Sequence, residues 1–319
     1  MPAWAPQIPG LHPASPTGGA RVKVCSACGS TRCDDAWTCA DCGSKPVVIG
    51  GFNAFAPGLA LENEGFREEY FGELAQLEAD NWWFRARNAL IIWAMDRYLP
   101  DCRDFLEIGC GTGFVLSGIR SASPSIELSG SEIFSAGLAF AAKRVPSAQF
   151  SQMDARHIPF REAFDAIGAF DVVEHIDDDE AVFAEVGKAL RPGGSLLITV
   201  PQHPSLWSPQ DEHAHHARRY TAAELARKVE TAGFEVIRMT SFVSLLLPMM
   251  FASRFRMRRG PAGEAFDAMD ELRQPRAVNM ALEAVMKIER TLIRRGLSLP
   301  AGGSLLLVAR KPIQGEDRS

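Results

Sequence analysis

The chain has 319 residues, enough for one large α/β domain with appendages or for two modest domains. Its apolar fraction of 46% and charged fraction of 23% are ordinary for a globular protein and exclude disorder over most of the length. A net charge of −5 argues against a dedicated nucleic-acid binder, which carries a basic face. Residues 1–20 are rich in proline and glycine and lack both a basic leader and an apolar run. They read as a disordered tail, not as a secretory signal. The longest apolar stretch, Phe242 to Ala252, is broken by Pro248 and falls short of the roughly 20 residues that span a bilayer. A cytoplasmic location is therefore expected.

Residues 21–50 hold Cys25-x2-Cys28 and Cys39-x2-Cys42, with Cys28 and Cys42 each followed by glycine. Four thiolates at this spacing suit tetrahedral zinc, and the glycines permit a tight knuckle around the ion. The segment resembles a zinc ribbon, with Cys25, Cys28, Cys39 and Cys42 as ligands of a structural Zn2+ and Cys33 to spare. A piece of about 30 residues is too small to fold without such a staple.

Residues 51–100 carry helical periodicity and the aromatic run NWWFRARN (Asn81 to Asn88), and read as a helical cap preceding the core. From 101 to 242, strand-like and helix-like stretches alternate. Such βα repetition predicts a parallel sheet with helices on both faces. Residues 243–302 turn helical in pattern, as an insertion before a last core strand at 303–312. Residues 313–319 read as a tail.

The stretch LEIGCGTGF (Leu106 to Phe114) runs from an apolar strand through a glycine turn into a helix. Glycine at 109, 111 and 113 lets the backbone turn tightly and approach a ligand, and the helix start offers free N–H groups. A dinucleotide fingerprint would need glycine where Phe114 stands. Glu107 would repel a diphosphate and suits a ligand with a cationic amine. With its acidic residue two places before three alternating glycines, the stretch resembles the first motif of the class I S-adenosylmethionine-dependent methyltransferases. The resemblance runs through 101–242 and resumes at 303–310. It implies a Rossmann-like α/β fold and S-adenosylmethionine as cofactor, touched by Glu107, Gly109, Cys110, Gly111 and Gly113. It also implies that Glu132, with Ile133 beside it, accepts from the ribose hydroxyls. Asp154 and Ala155 would lie at the adenine, and Phe170 and Asp171 beside the sulfonium. Trp83, Phe84 and Arg87 of the preceding helix would close the pocket.

DEHAHHARRY (Asp211 to Tyr220) follows the fifth strand of the alternation, on the side where this fold binds ligands. Methyl transfer is an in-line displacement, and a hydroxyl acceptor must lose its proton. Histidine suits that task. His213 and His216 are candidate bases or positioning residues, Asp211 a candidate orienter, and His175 a further catalytic candidate that the resemblance implies faces the cofactor pocket. Arg218, Arg219 and Tyr220 are candidates for an anionic or polar substrate group. The alternative is a solvated loop before a helix capped by Thr221. Asp171-Val-Val-Glu174-His175 also resembles the carboxylate-x-x-Glu-His arrangement of some metal-assisted O-methyltransferases, where an ion wants oxygen-rich coordination and a chelating acceptor.

In the insertion, an apolar segment lies beside Arg254, Arg256, Arg258 and Arg259. That is the pattern of a peripheral contact with an anionic membrane; packing on the core or a homodimer interface competes with it. The expectation is a methyltransferase of a small-molecule or lipid-like acceptor, most simply an O-methyltransferase with His-assisted deprotonation. One competing reading is an RNA or protein methyltransferase that docks through the ribbon. The four basic and three acidic residues between Arg21 and Lys45 give it little support. The other is a non-catalytic cofactor-binding scaffold.

Overall fold

The computed structural model describes residues 21–60, 68–259 and 273–313. The expected tails, 1–20 and all but Ile313 of 313–319, lie outside them. The chain opens with β1 (Val22–Lys23), β2 (Val47–Ile49) and β3 (Phe52–Ala54), then α1 (Glu68–Leu77) and α2 (Trp82–Tyr98). The core follows as β4 (Asp104–Ile108), α3 (Phe114–Ala122), β5 (Glu127–Glu132), α4 (Ser135–Arg144), β6 (Gln149–Gln152), β7 (Phe160–Arg161) and β8 (Phe164–Phe170). It continues with α5 (Asp179–Ala189), β9 (Leu190–Pro201), α6 (Pro209–His213), α7 (Ala222–Thr231) and β10 (Glu235–Phe242). The insertion supplies α8 (Leu247–Arg259) and α9 (Arg276–Arg294) before β11 (Ser304–Arg310).

Among the described residues the main sheet has nine strands, in the order β10-β11-β9-β8-β4-β5-β6-β3-β2. The steps between β6, β5, β4, β8 and β9 are all parallel. These central strands are apolar on both faces because both faces are covered. On one side pack Leu90, Ile91 and Ala94 of α2, Leu116 and Ile119 of α3, Leu138 of α4 and Ile293 of α9. On the other lie Val182, Phe183 and Val186 of α5 with Leu225 and Val229 of α7. Each of these side chains larger than alanine contributes about 1.5–3 kcal/mol by leaving water.

The main-sheet strands of 101–242 are parallel, as expected, and β11, which lies beyond that stretch, runs antiparallel to both β9 and β10. The insertion leaves from the carboxyl end of β10 and returns to that same end, so the next strand must run backwards. One expectation needs correction: 51–100 is not wholly helical. Residues 52–54 form β3, which pairs parallel with β6, while β2 pairs antiparallel with β3 and becomes the sheet edge. The cysteine segment is thus continuous with the sheet. Its β1 also pairs with β7, Arg21 ion-pairs with Asp104 at 3.0 Å, and Trp37 packs edge-on against Phe55 and Phe160.

Candidate active site

β4 carries the glycine turn to the carboxyl edge of the sheet. Gly109, Gly111 and Gly113 have φ of 64°, 50° and 75°, a region that residues with a Cβ rarely enter. A Cβ on Gly109 would strike Val172, and one on Gly113 would press on Ala141, so packing already demands glycine there. A Cβ on Gly111 would meet nothing within 4 Å among the described residues. Packing does not demand glycine at 111; the left-handed backbone does, and the space beside it is open. Cys110 beside it is buried, and its N–H donates to Ser131 O at 2.9 Å, fixing the turn to β5.

Two buried carboxylates flank that opening. Glu132 accepts from Gly111 N at 2.9 Å and Ile133 N at 2.8 Å. Burial raises its carboxyl against the pull of these bonds. Glu107 leaves one oxygen, Oε2, without a partner among the described residues. Burial pushes it well above the usual carboxylate range, and the nearby Arg87 only partly offsets this. A cationic ligand amine would satisfy it. The turn is braced from behind: Thr112 Oγ1 donates to Glu78 at 2.6 Å, and Arg144 donates to Glu78 at 2.7 Å and to Thr112 O at 3.1 Å. Sequence reasoning missed Glu78 and Arg144, which carry no local motif.

Asp154 and Ala155 follow β6, as the resemblance implies, and Ala155 is buried. The Asp154 carboxylate is already engaged. It accepts from Arg156 Nε at 3.0 Å and Nη2 at 2.8 Å. Burial alone would raise it, but these bonds hold it below the usual range. α2 lies across the pocket end of the sheet. Arg87 sits 4.5 Å over the Trp83 ring, also faces Phe84, and donates to Asp171. Asp171 itself has φ 57° and accepts from Thr199 Oγ1 at 3.1 Å. Phe170 is buried in the core below. Trp83, Arg87 and Asp171 are therefore brought together, although 84 residues separate the last two.

The decapeptide is not a solvated loop. Asp211 is 1% exposed and sits at the centre of a polar knot. It caps α6 by accepting from Ser208 N at 2.8 Å, and takes Arg219 Nε at 2.7 Å and His216 Nδ1 at 2.9 Å. Burial would raise its carboxyl, but His216 and Arg219 bring it down to about 2. Arg218, Arg219 and Tyr220 do not meet the expectation of a substrate group. Arg219 is held by Asp211 and donates to Gln202 O, Arg218 pairs with Asp179 at 2.9 Å, and the wholly buried Tyr220 donates to that same carboxylate. Thr221 does cap α7, accepting from Glu224 N at 3.2 Å.

His216 stands edge-on to His175, with ring centroids 4.7 Å apart. The His175 ring is exposed at its edge, yet the protein packed around it and the second imidazole disfavour its charged form and pull it down to about 4. Glu174 completes the group. It is fully buried, and neither carboxylate oxygen has a partner among the described residues. The ligand atoms of Glu174, His175 and His216 lie within 4.8 Å of one another. His213 ends α6 and is not in this group. The knot therefore offers one oriented imidazole, one neutral imidazole and one buried acid.

At the other end of the chain, the sulfurs of Cys25, Cys28, Cys39 and Cys42 lie within 4.8 Å of one another, with Cys25–Cys42 and Cys28–Cys39 each at 3.6 Å. Two matching knuckles hold them: Gly29 N donates to Cys25 O and Gly43 N to Cys39 O, both at 2.9 Å. Gly29 and Gly43 have φ of 75° and 73°. Backbone N–H groups of Cys28 and Ala27 favour the thiolate of Cys25, bringing it to about 6. Cys33 stays outside the set.

A mainly parallel α/β sheet with an open, acid-flanked glycine turn at the carboxyl end of its first core strand has the form of a ligand-binding α/β fold. A family model described as a methyltransferase domain matches residues 72–239, more than half of the chain, and the chain belongs to that family. A protein of Mycolicibacterium smegmatis named as an S-adenosylmethionine-dependent methyltransferase is 32% identical over 165 residues, covering 50% of this chain and 62% of its own. A trans-aconitate 2-methyltransferase of Variovorax paradoxus is 31% identical over 127 residues, covering 40% of this chain and 47% of its own. The chain thus spans less than two thirds of either relative. Among solved structures, the complex between the Haloferax volcanii Trm112 methyltransferase activator and a methyltransferase contains a chain that superposes with a TM-score of 0.52. Identity is 17%, over 78% of this chain and 97% of that one. That likeness is one of fold.

Proposed function

We propose that this chain transfers the methyl group of S-adenosylmethionine to an oxygen of a small-molecule or lipid-like acceptor. The observation that carries the reading is the open space at Gly111 between Glu107 and Glu132, a cradle shaped for a ligand with a cationic amine and a polar ribose. Bound there, the cofactor supplies an electrophilic methyl group. Glu107 pairs with the amine, Glu132 accepts from the ribose hydroxyls beside its three backbone donors, the longest of them Phe134 N at 3.4 Å, and Asp154 turns part of its carboxylate to the adenine. Trp83 and Arg87 cover the opening and exclude water. On the acceptor side, Asp211 holds His216 by Nδ1, so that Nε2 takes the hydroxyl proton. His175 stays neutral and helps orient the acceptor oxygen.

Zinc held by the four cysteines is part of the same proposal, as a structural ion. Three of the four basic residues in that segment have internal partners: Arg21 with Asp104, Lys23 with Asp35 and Arg32 with Asp41. This favours a ribbon that braces the sheet over one that docks RNA. Among the described residues no helix is long and apolar enough to cross a membrane. Leu245, Met249 and Phe251 are exposed at the insertion, whereas Arg254 turns inward and donates to Gln210. The side chains of Arg256, Arg258 and Arg259 lie outside the description. We read the chain as cytoplasmic, with this apolar face available to a lipid-like acceptor. The test is incubation with methyl-labelled S-adenosylmethionine and fractionated extract. Label in the small-molecule or lipid fraction supports the reading; label in RNA or protein, or in no fraction, rejects it.

A further inference from the structure

Proton transfer by His216 leaves Glu174 without a task. A fully buried carboxylate with two unpartnered oxygens is unstable as an isolated charge, and native structures seldom leave one so. What it faces is a pair of imidazoles. One oxygen of Glu174 and one ring nitrogen each from His175 and His216 form a triangle with sides of no more than 4.8 Å. An ion at its centre would need each atom to move inward by less than about 1 Å to reach zinc–ligand distances near 2.0–2.2 Å.

Three further observations point the same way. Asp211 holds His216 Nδ1 at 2.9 Å and is itself fixed by Arg219 and Ser208. That leaves Nε2 for another partner, and a carboxylate behind the imidazole is the usual outer support of a metal-bound histidine. The two loops that carry the ligands are tied together, since Ala217 N donates to Glu174 O at 2.7 Å. Asp171, the acid three residues before Glu174, is already occupied by Arg87 and Thr199. The donor set is thus two imidazoles and one carboxylate. That set suits a zinc-class ion better than the oxygen-rich shells of magnesium or calcium.

We propose that Glu174, His175 and His216 bind one divalent transition metal of the zinc class, separate from the cysteine site. Its open coordination position takes an oxygen of the acceptor. The acceptor clause rests on the methyltransferase reading; the metal site does not. With an ion bound, His216 Nε2 would be a ligand in place of proton carrier, and the coordinated hydroxyl, made more acidic by the ion, would lose its proton to water.

The test uses the full chain equilibrated with zinc alone, and counts metal per chain by elemental analysis. Wild type should hold about two equivalents, one in the cysteines and one here. Glu174→Gln and His216→Ala should each fall to about one, while His215→Asn, on the same loop but outside the group, keeps two. Cofactor affinity and circular dichroism identify any variant that fails to fold. As a second measurement, cobalt added to wild type with zinc in the cysteine site should give a visible d–d band without thiolate charge transfer, and Glu174→Gln should lack it. A single equivalent in wild type, or two retained in both folded variants, overturns the site. One equivalent with methyl transfer intact removes this inference and leaves the function standing. Two equivalents with no acceptor ever labelled removes the function and leaves the site.

Discussion

Gly111 faces open space at φ 50°, so a side chain there strains the backbone and also enters the space left for a ligand. Gly111→Arg should reduce cofactor affinity by about 100-fold or more, and forcing a side chain into the left-handed region should cost about 1–2 kcal/mol of stability besides. Calorimetric titration checks this, and unchanged affinity rejects the cradle. Glu107 makes a pH prediction. Burial raises its carboxyl, so the free protein favours the protonated form and a cationic amine must displace that proton. Affinity should therefore rise with pH through the range in which Glu107 ionises. Titrations in buffers of different ionisation enthalpy should show proton release. Glu107→Gln should weaken binding roughly tenfold and abolish the release. His216→Ala should lower turnover by roughly 100-fold to 10,000-fold with cofactor affinity unchanged; a steady-state assay against labelled acceptor reads it. At this scale the sequence was most legible where chemistry is local. The glycine turn, Glu107 and Glu132 announce themselves within a few residues. Glu78 and Arg144 do not, because they reach Thr112 from 34 and 32 residues away in opposite directions. Arg218 and Arg219 read in the sequence as free to meet a substrate because their partners are set by the fold: Asp179 reaches Arg218 from α5, and the chain folds back to put Asp211 on Arg219.

The elements depend on buried charge as well as on apolar packing. α5 and α7 are stapled by Asp179, which accepts from Lys228 at 2.7 Å, pairs with Arg218 and receives the Tyr220 hydroxyl. Burial would raise the Asp179 carboxyl, but these donors, Lys228 foremost, hold it below the usual range. A depressed folded-state value means the stabilisation is complete above the unfolded value of about 3.9 and is lost as pH falls through the folded one. Asp179→Asn should cost about 3 kcal/mol at neutral pH and flatten the acid limb of the stability curve. Urea denaturation at pH 7 and below pH 4 distinguishes that from a uniform loss. A second staple was invisible in the sequence. Glu289, from the middle of α9, accepts from the backbone N–H groups of Val243, Ser244 and Leu245 at 2.6–2.8 Å. It fixes the turn at Val243, which has φ 58°, and so aims α8 over the carboxyl end of the sheet. Helical periodicity revealed α9 but gave no reason for an acid on its buried face.

Across the whole molecule, the alternation of strands and helices was readable because each βα unit is encoded within some 30 residues. The joining of the cysteine segment to the sheet was not readable. β3 meets β6 across 98 residues, from Asn53 to Ser151, and no short-range pattern specifies such a pairing. If zinc braces this segment, its removal by a chelator or by Cys39→Ser should lower the melting temperature. It should also release amide hydrogens at Val47–Ala54 and Gln149–Gln152 to exchange, while those of β4 and β9 stay protected. Uniform protection after metal loss would show that the hairpin holds without it.

That hairpin covers one margin of the sheet. With β2 and β3 in place, β6 is an interior strand; without them its outer row of amides and carbonyls is bare, a template for pairing with another chain. Synthesis proceeds from the N-terminus, so the cysteines and their hairpin emerge well before the strand they will shield. Loading with metal at that moment would have the cover ready when β6 appears. If zinc braces the hairpin, a cell starved of it would deliver finished sheets with an open flank, and the protein would be lost to clumping and proteolysis before any shortage was felt in its chemistry.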